Sequence, residues 1–185
     1  MKINNVNHLA NTLEELYCDN YSNIDQKGIS ELKKLKKLNC NNNEKIYDVN
    51  HLENTLEDLK CAGECGIDQN GISKLRKLRI LDSNEKINNV NHLANTLEEL
   101  YCSYKSNIDQ NGISDLKYIK ILNCCGNSHI NNVNHLKNTL KILNCSYACH
   151  IDQYGISELQ FVEEIHCYNN HKINNLDHLK NQKIY

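Results

Sequence analysis

The chain has 185 residues, 39% hydrophobic and 24% charged, with a formal net charge of −2 at pH 7. So even a balance gives no global field to draw it to nucleic acid or an anionic membrane, its apolar residues are too scattered for a membrane span, and, opening directly on MKINNVNHL, it is expected to lack an apolar signal region. No proline-rich linker or charge block divides it, so we expect one soluble, intracellular domain over residues 1–185.

Taken in chain order, the elements form an internal repeat. KINNVNHLANTLEELYC opens at Lys2, returns unchanged from Lys86 and in variant form from Lys45 and His129, with a truncated copy from Lys172. A second phrase, IDQKGISELKKLKKLNC, starts at Ile24 and returns from Ile67, Ile108 and Ile151, at offsets of 43, 41 and 43 residues. Two interleaved half-repeats of about 20 to 22 residues mark a solenoid, in which no single repeat can bury its own apolar face.

Within the first phrase the apolar positions are Leu9, Leu13, Leu16, Cys18 and Ile24; within the second they are Leu32, Leu35, Leu38, Cys40 and Ile46. Spacing of three or four gives way to spacing of two, so a helical turn hands over to a short strand. Asp25, Asp68, Asp109 and Asp152 precede each GIS turn. A carboxylate there accepts from free backbone N–H groups, and we assign these residues as caps rather than catalysts.

This pattern resembles a leucine-rich repeat. LEELYCDNYSNIDQKGISEL is similar to the cysteine-containing subclass through Leu16, Cys18, Ile24, Asp25, Gly28, Ile29 and Leu32. LKKLNCNNNEKIYDVNHLENTLEDL resembles the shorter internalin-type form through Leu38, Cys40, Asn43, Ile46, Val49 and Leu52. Asn-rich repeats carrying NTLEEL also resemble leucine-rich-repeat arrays of giant DNA viruses, which would place the protein in host cytoplasm. The resemblance implies an α/β solenoid, or horseshoe: a parallel sheet of about eight short strands on the concave face, with short helices or 3-10 turns on the convex face.

The chain departs from the family pattern in three places. The Asn that bridges neighbouring loops is matched by Asn43, Asn127 and Asn170, whereas Tyr21, Glu64, Lys105 and Ala148 stand there in the other half-repeats. After Leu81 two residues are missing, which calls for a tighter turn and a local bend. Neither end carries a polar capping module, so the exposed ends offer a route to homo-oligomers.

Cys18, Cys40, Cys61, Cys102, Cys124, Cys145 and Cys167 fall on the second inward strand position, with Ser83 in the fourth rung. Parallel strands about 4.8 Å apart hold successive column cysteines farther apart than the roughly 3.8 Å between disulfide Cβ atoms, so we expect buried free thiols rather than disulfides or metal ligands. Cys65, Cys125 and Cys149 lie outside the column, and Cys149 beside His150 is a candidate reactive thiol. His8, His51, His92, His135 and His178 each precede an inward Leu and are expected to form an outward, solvated stripe, with successive members too distant to share one zinc.

If Leu16 and Cys18 point inward, Glu15, Tyr17 and Asp19 face the concave surface. The later rows are then Lys37/Asn39/Asn41, Asp58/Lys60/Ala62, Ile80/Asp82/Asn84, Glu99/Tyr101/Ser103, Ile121/Asn123/Cys125, Ile142/Asn144/Ser146 and Glu164/His166/Tyr168. Acids outnumber bases on this face, a poor fit to phosphate backbones. Tyr101, Ile121, Asn123, Ile142, Asn144, His166 and Tyr168, with Tyr104 and Tyr147 at the strand-exit edge, gather the aromatic and aliphatic area typical of interface anchors. The basic segments around Lys33 and Arg76 lie on the helical or rim side.

The leading expectation is therefore a non-enzymatic scaffold that holds an unidentified protein partner on its concave face, without cofactor or metal and without contact to nucleic acid or membrane. The alternatives are a self-associating protein stacking through its ends, the substrate-recognition part of a ubiquitin-ligase adaptor lacking its own F-box, and a thiol or metal enzyme using Cys125, Cys149 and His150. No Gly-rich phosphate loop, paired-carboxylate cleft or triad spacing is present.

Overall fold

The computed structural model describes residues 3–20, 22–179 and 183–185. The repeat's start at Lys2 and the Tyr21 loop position lie outside the described residues. The chain forms two compact units, Met1–Ile87 and Asn88–Tyr185.

In the first unit β1 (Glu15–Tyr17), β2 (Lys37–Asn39), β3 (Asp58–Lys60) and β4 (Ile80–Asp82) pair in parallel, each with the next. In the second, β5 (Glu99–Tyr101), β6 (Ile121–Asn123), β7 (Ile142–Asn144), β8 (Glu164–His166) and β9 (Lys183–Ile184) do the same. The register is the one the Leu-x-Cys spacing requires: Leu16 lies opposite Leu38, and Leu100 opposite Leu122. The ninth strand exceeds the eight expected, because Lys183–Ile184 carries no Leu-x-Cys signature.

Each of β1 to β7 leads through a loop to a single helical turn: α1 (Gln26–Ile29), or a 3-10 turn such as Asn50–Leu52 in the first unit or Tyr154–Ile156 in the second. The turns stay short because Ile29, Leu32, Leu35 and Leu38, all buried, recur every three residues, a period closer to the 3-10 than to the α-helix. Burying a leucine removes enough apolar surface to contribute about 1.5 to 3 kcal/mol, so a stack of such rungs is held mainly by its interior.

The recurring IDQxGIS phrase has a physical account, residue by residue. Oδ1 of Asp25 accepts from Gly28 N at 2.9 Å, and Asp68, Asp109 and Asp152 do the same for Gly71, Gly112 and Gly155. Gln26 Oε1 accepts from Tyr47 N and Asp48 N while its Nε2 donates to Asp48 O at 2.7 Å, so one amide ties its turn to the next rung. The glycine is needed for room: a Cβ on Gly28 would stand 2.3 Å from Asn4 O.

A second set of amides runs through the interior. Asn43 Nδ2 donates to Cys18 O at 2.7 Å and Ile24 O at 3.1 Å; Asn127 serves Cys102 O and Ile108 O, and Asn170 serves Cys145 O and Ile151 O. Asn84 belongs to this set, donating to Cys65 O and Ile67 O, and is buried rather than on the strand face. The two residues missing after Leu81 shift it into the bridging place. Where the pattern has Glu64, Lys105 and Ala148, those side chains are exposed and the next residue is buried instead: Cys65, Ser106 and Cys149.

The histidine stripe is not simply solvated. Nε2 of His51, His135 and His178 stands 3.1 Å from the carbonyl oxygens of Ile29, Ile113 and Ile156, so each ring donates to a carbonyl of the preceding rung that also accepts from the backbone N–H of Leu32, Leu116 or Leu159. Burial lowers the His51 and His135 pKa from the ordinary 6.5, against a smaller upward push from that same bond.

Candidate functional site

The sequence places most of its expected contact residues in the second unit. Along its strands Glu99, Ile121, Ile142, Glu164 and Lys183 form one row, and Tyr101, Asn123, Asn144 and His166 the next. Their outward direction follows from the buried Leu100, Leu122, Leu143 and Ile165 between them.

Polar groups in these rows brace one another. The Tyr101 hydroxyl donates to Glu99 Oε2 at 3.0 Å, and His166 Nε2 lies 2.6 Å from Glu164 Oε1. Asn123 Oδ1 accepts from Ser103 Oγ at 2.9 Å and from Cys125 N at 3.2 Å, while Asn144 Oδ1 accepts from Ser146 N at 3.1 Å. Tyr185 stacks on His166 with ring centroids 4.7 Å apart and planes 12° apart. Cys125, expected on the open face, is buried and its thiol donates to the Tyr104 hydroxyl at 3.5 Å, because the chain has already begun to turn away from the sheet. That bond raises the pKa of the Tyr104 hydroxyl.

The strand-exit edge carries the most unusual geometry. Beyond each strand except β4 and β9 one residue adopts a left-handed conformation: Asn20, Asn42 and Gly63 in the first unit, and Tyr104, Gly126, Tyr147 and Asn169 in the second. This conformation keeps the backbone N–H aimed at the next rung: Tyr104 N reaches Cys125 O at 2.8 Å, and Tyr147 N reaches Tyr168 O at 2.7 Å. Asn and Gly enter this region at little cost, whereas a tyrosine meets the full steric clash of its Cβ. Tyr104 and Tyr147 are nevertheless there, at φ +49° and +60°.

Their rings, with that of Tyr168, make a connected aromatic edge. Tyr104 and Tyr147 centroids are 6.4 Å apart, and Tyr147 meets Tyr168 edge-on at 5.8 Å. All three are exposed, at 61%, 44% and 63%. Gly126, between the two tyrosines, leaves room for the first ring, since a Cβ there would stand 2.7 Å from Tyr104 Cδ1.

The first unit offers a different surface. Lys37 Nζ pairs with Glu15 Oε1 at 2.8 Å beside the exposed Tyr17, and burial raises the Asp82 pKa. At its strand-exit edge lies an open polar hollow whose lining includes Asn20, Asn42, Glu44 and Glu64. Two lysines of the basic segment at the start of β2 are engaged with acids, Lys36 with Glu14 at 2.9 Å as well as Lys37 with Glu15.

The candidate thiol centre is not assembled. Cys149 is buried with its sulfur 3.8 Å from Cys124 Sγ, and Cys125 turns instead toward Tyr104. Among the described residues no group of three or more His, Cys, Asp or Glu side chains is arranged to hold a metal ion, and no helix is long and apolar enough to cross a membrane.

No protein-family model matches the chain, and no curated protein matches its sequence. Among solved structures it is similar to internalin C2 from Listeria monocytogenes, with a TM-score of 0.66 and 21% identity over 97% of this chain and 83% of that one. Together with the parallel strands and short turns, this likeness establishes the leucine-rich-repeat fold.

Proposed function

We propose that the chain is a non-enzymatic binding module that holds a protein partner against the strand face and strand-exit edge of its second unit. The observation that carries this is the pair of tyrosines in the left-handed conformation. A tyrosine there costs on the order of 1 kcal/mol over asparagine, and both rings are displayed to solvent in contact with a neighbour rather than tucked into the core. Exposed, pre-organised aromatic rings have the character of binding anchors, which bury much area at little loss of side-chain freedom.

The test is capture of partners by the intact chain, compared with Tyr104→Asn/Tyr147→Asn and with Tyr101→Ala/His166→Ala/Tyr168→Ala. A protein retained by the wild type and lost by both folded variants supports this surface; retention by both moves the site elsewhere. We place the module in the cytoplasm, which cell fractionation tests.

A further inference from the structure

All ten cysteines are free thiols, but four are arranged unlike the rest. Sγ of Cys40 lies 3.5 Å from Sγ of Cys65, and Sγ of Cys124 lies 3.8 Å from Sγ of Cys149. Successive cysteines of the strand column are held side by side by the sheet. Cys65 and Cys149 come instead from the loop after the following strand, at the buried place where Ser106 stands on another rung, and so reach the column thiol from the side. The arrangement occurs once in each unit, with the same separation of 25 residues within each pair.

We propose that Cys40–Cys65 and Cys124–Cys149 are oxidisable dithiol pairs, modification sites at which a peroxide converts each pair to a disulfide. In the first step the Cys65 thiolate attacks one peroxide oxygen and the O–O bond breaks. The departing hydroxide takes up the proton that Cys65 released and becomes water, leaving a sulfenic acid on Cys65. In the second step Cys40 sulfur attacks Cys65 sulfur, the S–O bond breaks, and the hydroxyl leaves as water with the Cys40 proton. Two thiols and one hydrogen peroxide give one disulfide and two waters; Cys149 and Cys124 play the same parts in the other unit.

The groups around each loop cysteine suit it to the attacking part. The hydrogen bond between the thiols lowers the Cys65 pKa and raises that of Cys40, and the backbone at Ile67 and the charge of Lys86 add to the lowering of Cys65 against its burial. Cys149 is lowered by Cys124 first, then by the backbone at Ile151 and by Lys172. The lowered thiol is the attacking one and its partner resolves the sulfenic acid. Closing the bond requires the sulfurs to approach to about 2.05 Å, a movement for side-chain rotation within a contact that already exists.

The experiment treats the folded, fully reduced chain with hydrogen peroxide, blocks remaining thiols by alkylation and maps the linked peptides by mass spectrometry without reductant. The expected result is linkage of Cys40 to Cys65 and of Cys124 to Cys149, with the melting temperature rising on oxidation and returning after reduction. A Cys65→Ser/Cys149→Ser variant, whose hydroxyls match the buried Ser106, should show neither linkage nor shift. The proposal is overturned by linkage between other cysteines, by sulfinic or sulfonic acid on single residues in place of disulfides, or by pairs that link only after the chain is unfolded. The wild-type map decides the matter even if the serine variant fails to fold.

Discussion

At Gly155 an added methyl group would stand 2.1 Å from the carbonyl oxygen of Asn131, and at Gly112 2.2 Å from that of Asn88. In both cases the obstacle is backbone of the preceding rung, which cannot rotate away as a side chain would. Gly155→Ala should therefore cost about 3 kcal/mol or more, whereas Asp152→Ala, which removes only the cap on Gly155 N, should cost about 1 kcal/mol. Urea unfolding of the two variants checks this, and equal losses would show that the rungs yield more than their spacing implies. Tyr147→Asn has the opposite logic. It relieves about 1 kcal/mol of left-handed strain while giving up ring contacts of similar size with Tyr104 and Tyr168. Its unfolding midpoint should stay close to that of the wild type while partner capture falls, and a large loss of stability would make Tyr147 a structural residue.

One rung is the smallest unit whose parts can be compared. Leu100 is fully buried in β5 and Tyr101 beside it faces outward, so Leu100→Ala should cost about 2 to 5 kcal/mol and Tyr101→Ala under about 1 kcal/mol, both measured by denaturant unfolding. Asn127→Ala strands two buried carbonyls, those of Cys102 and Ile108, and should cost about 2 to 4 kcal/mol by the same measurement, while Lys105→Ala on the preceding exposed loop should change little. The strand register was legible because one spacing, Leu-x-Cys, fixes which side chains are inside and everything else follows by alternation. The caps were legible for the same reason: Asp three residues before Gly is a local signal. What the sequence did not disclose depends on the neighbouring rung. The histidine bonds need the carbonyl of Ile29 or Ile113 on the preceding rung to lie within reach; the thiol pairs need a loop residue to meet a residue 25 positions away. Asn84 was misplaced because a two-residue deletion moves a bridging residue into what alternation alone calls a surface position. For the aromatic edge, the tyrosines could be picked out from the sequence, but their left-handed backbone, which makes them unusual, could not.

Across the whole molecule these local environments set a pH window for stability. Burial lowers the pKa of His51 and His135, so the unfolded chain binds protons there more readily than the folded one. Stability from these two is complete above the ordinary 6.5, falls as pH drops below it, and levels off once the folded rings are charged. Asp82 acts in the other sense: burial raises its pKa above the ordinary 3.8, so it returns some stability as the acid range is entered. On the alkaline side burial pushes the Cys18 thiol from the ordinary 9.0 up to about 12 and raises Cys61 and Cys145 as well. Those thiols stay protonated in the fold while the unfolded chain ionises, so stability is complete below 9.0 and drains away as pH rises toward 12. Cys65 and Cys149, whose pKa is lowered, act earlier and in the other sense: they ionise in the fold before they would in the unfolded chain and add stability as pH rises toward 9.0. Melting temperature should therefore be highest between about pH 6.5 and 9 and decline on both sides. A His51→Gln/His135→Gln variant, whose amides can still donate to the Ile29 and Ile113 carbonyls, should lose the decline between pH 6.5 and 5 and keep the alkaline one. If its acid limb matches that of the wild type, the two rings are not the groups that sense the proton.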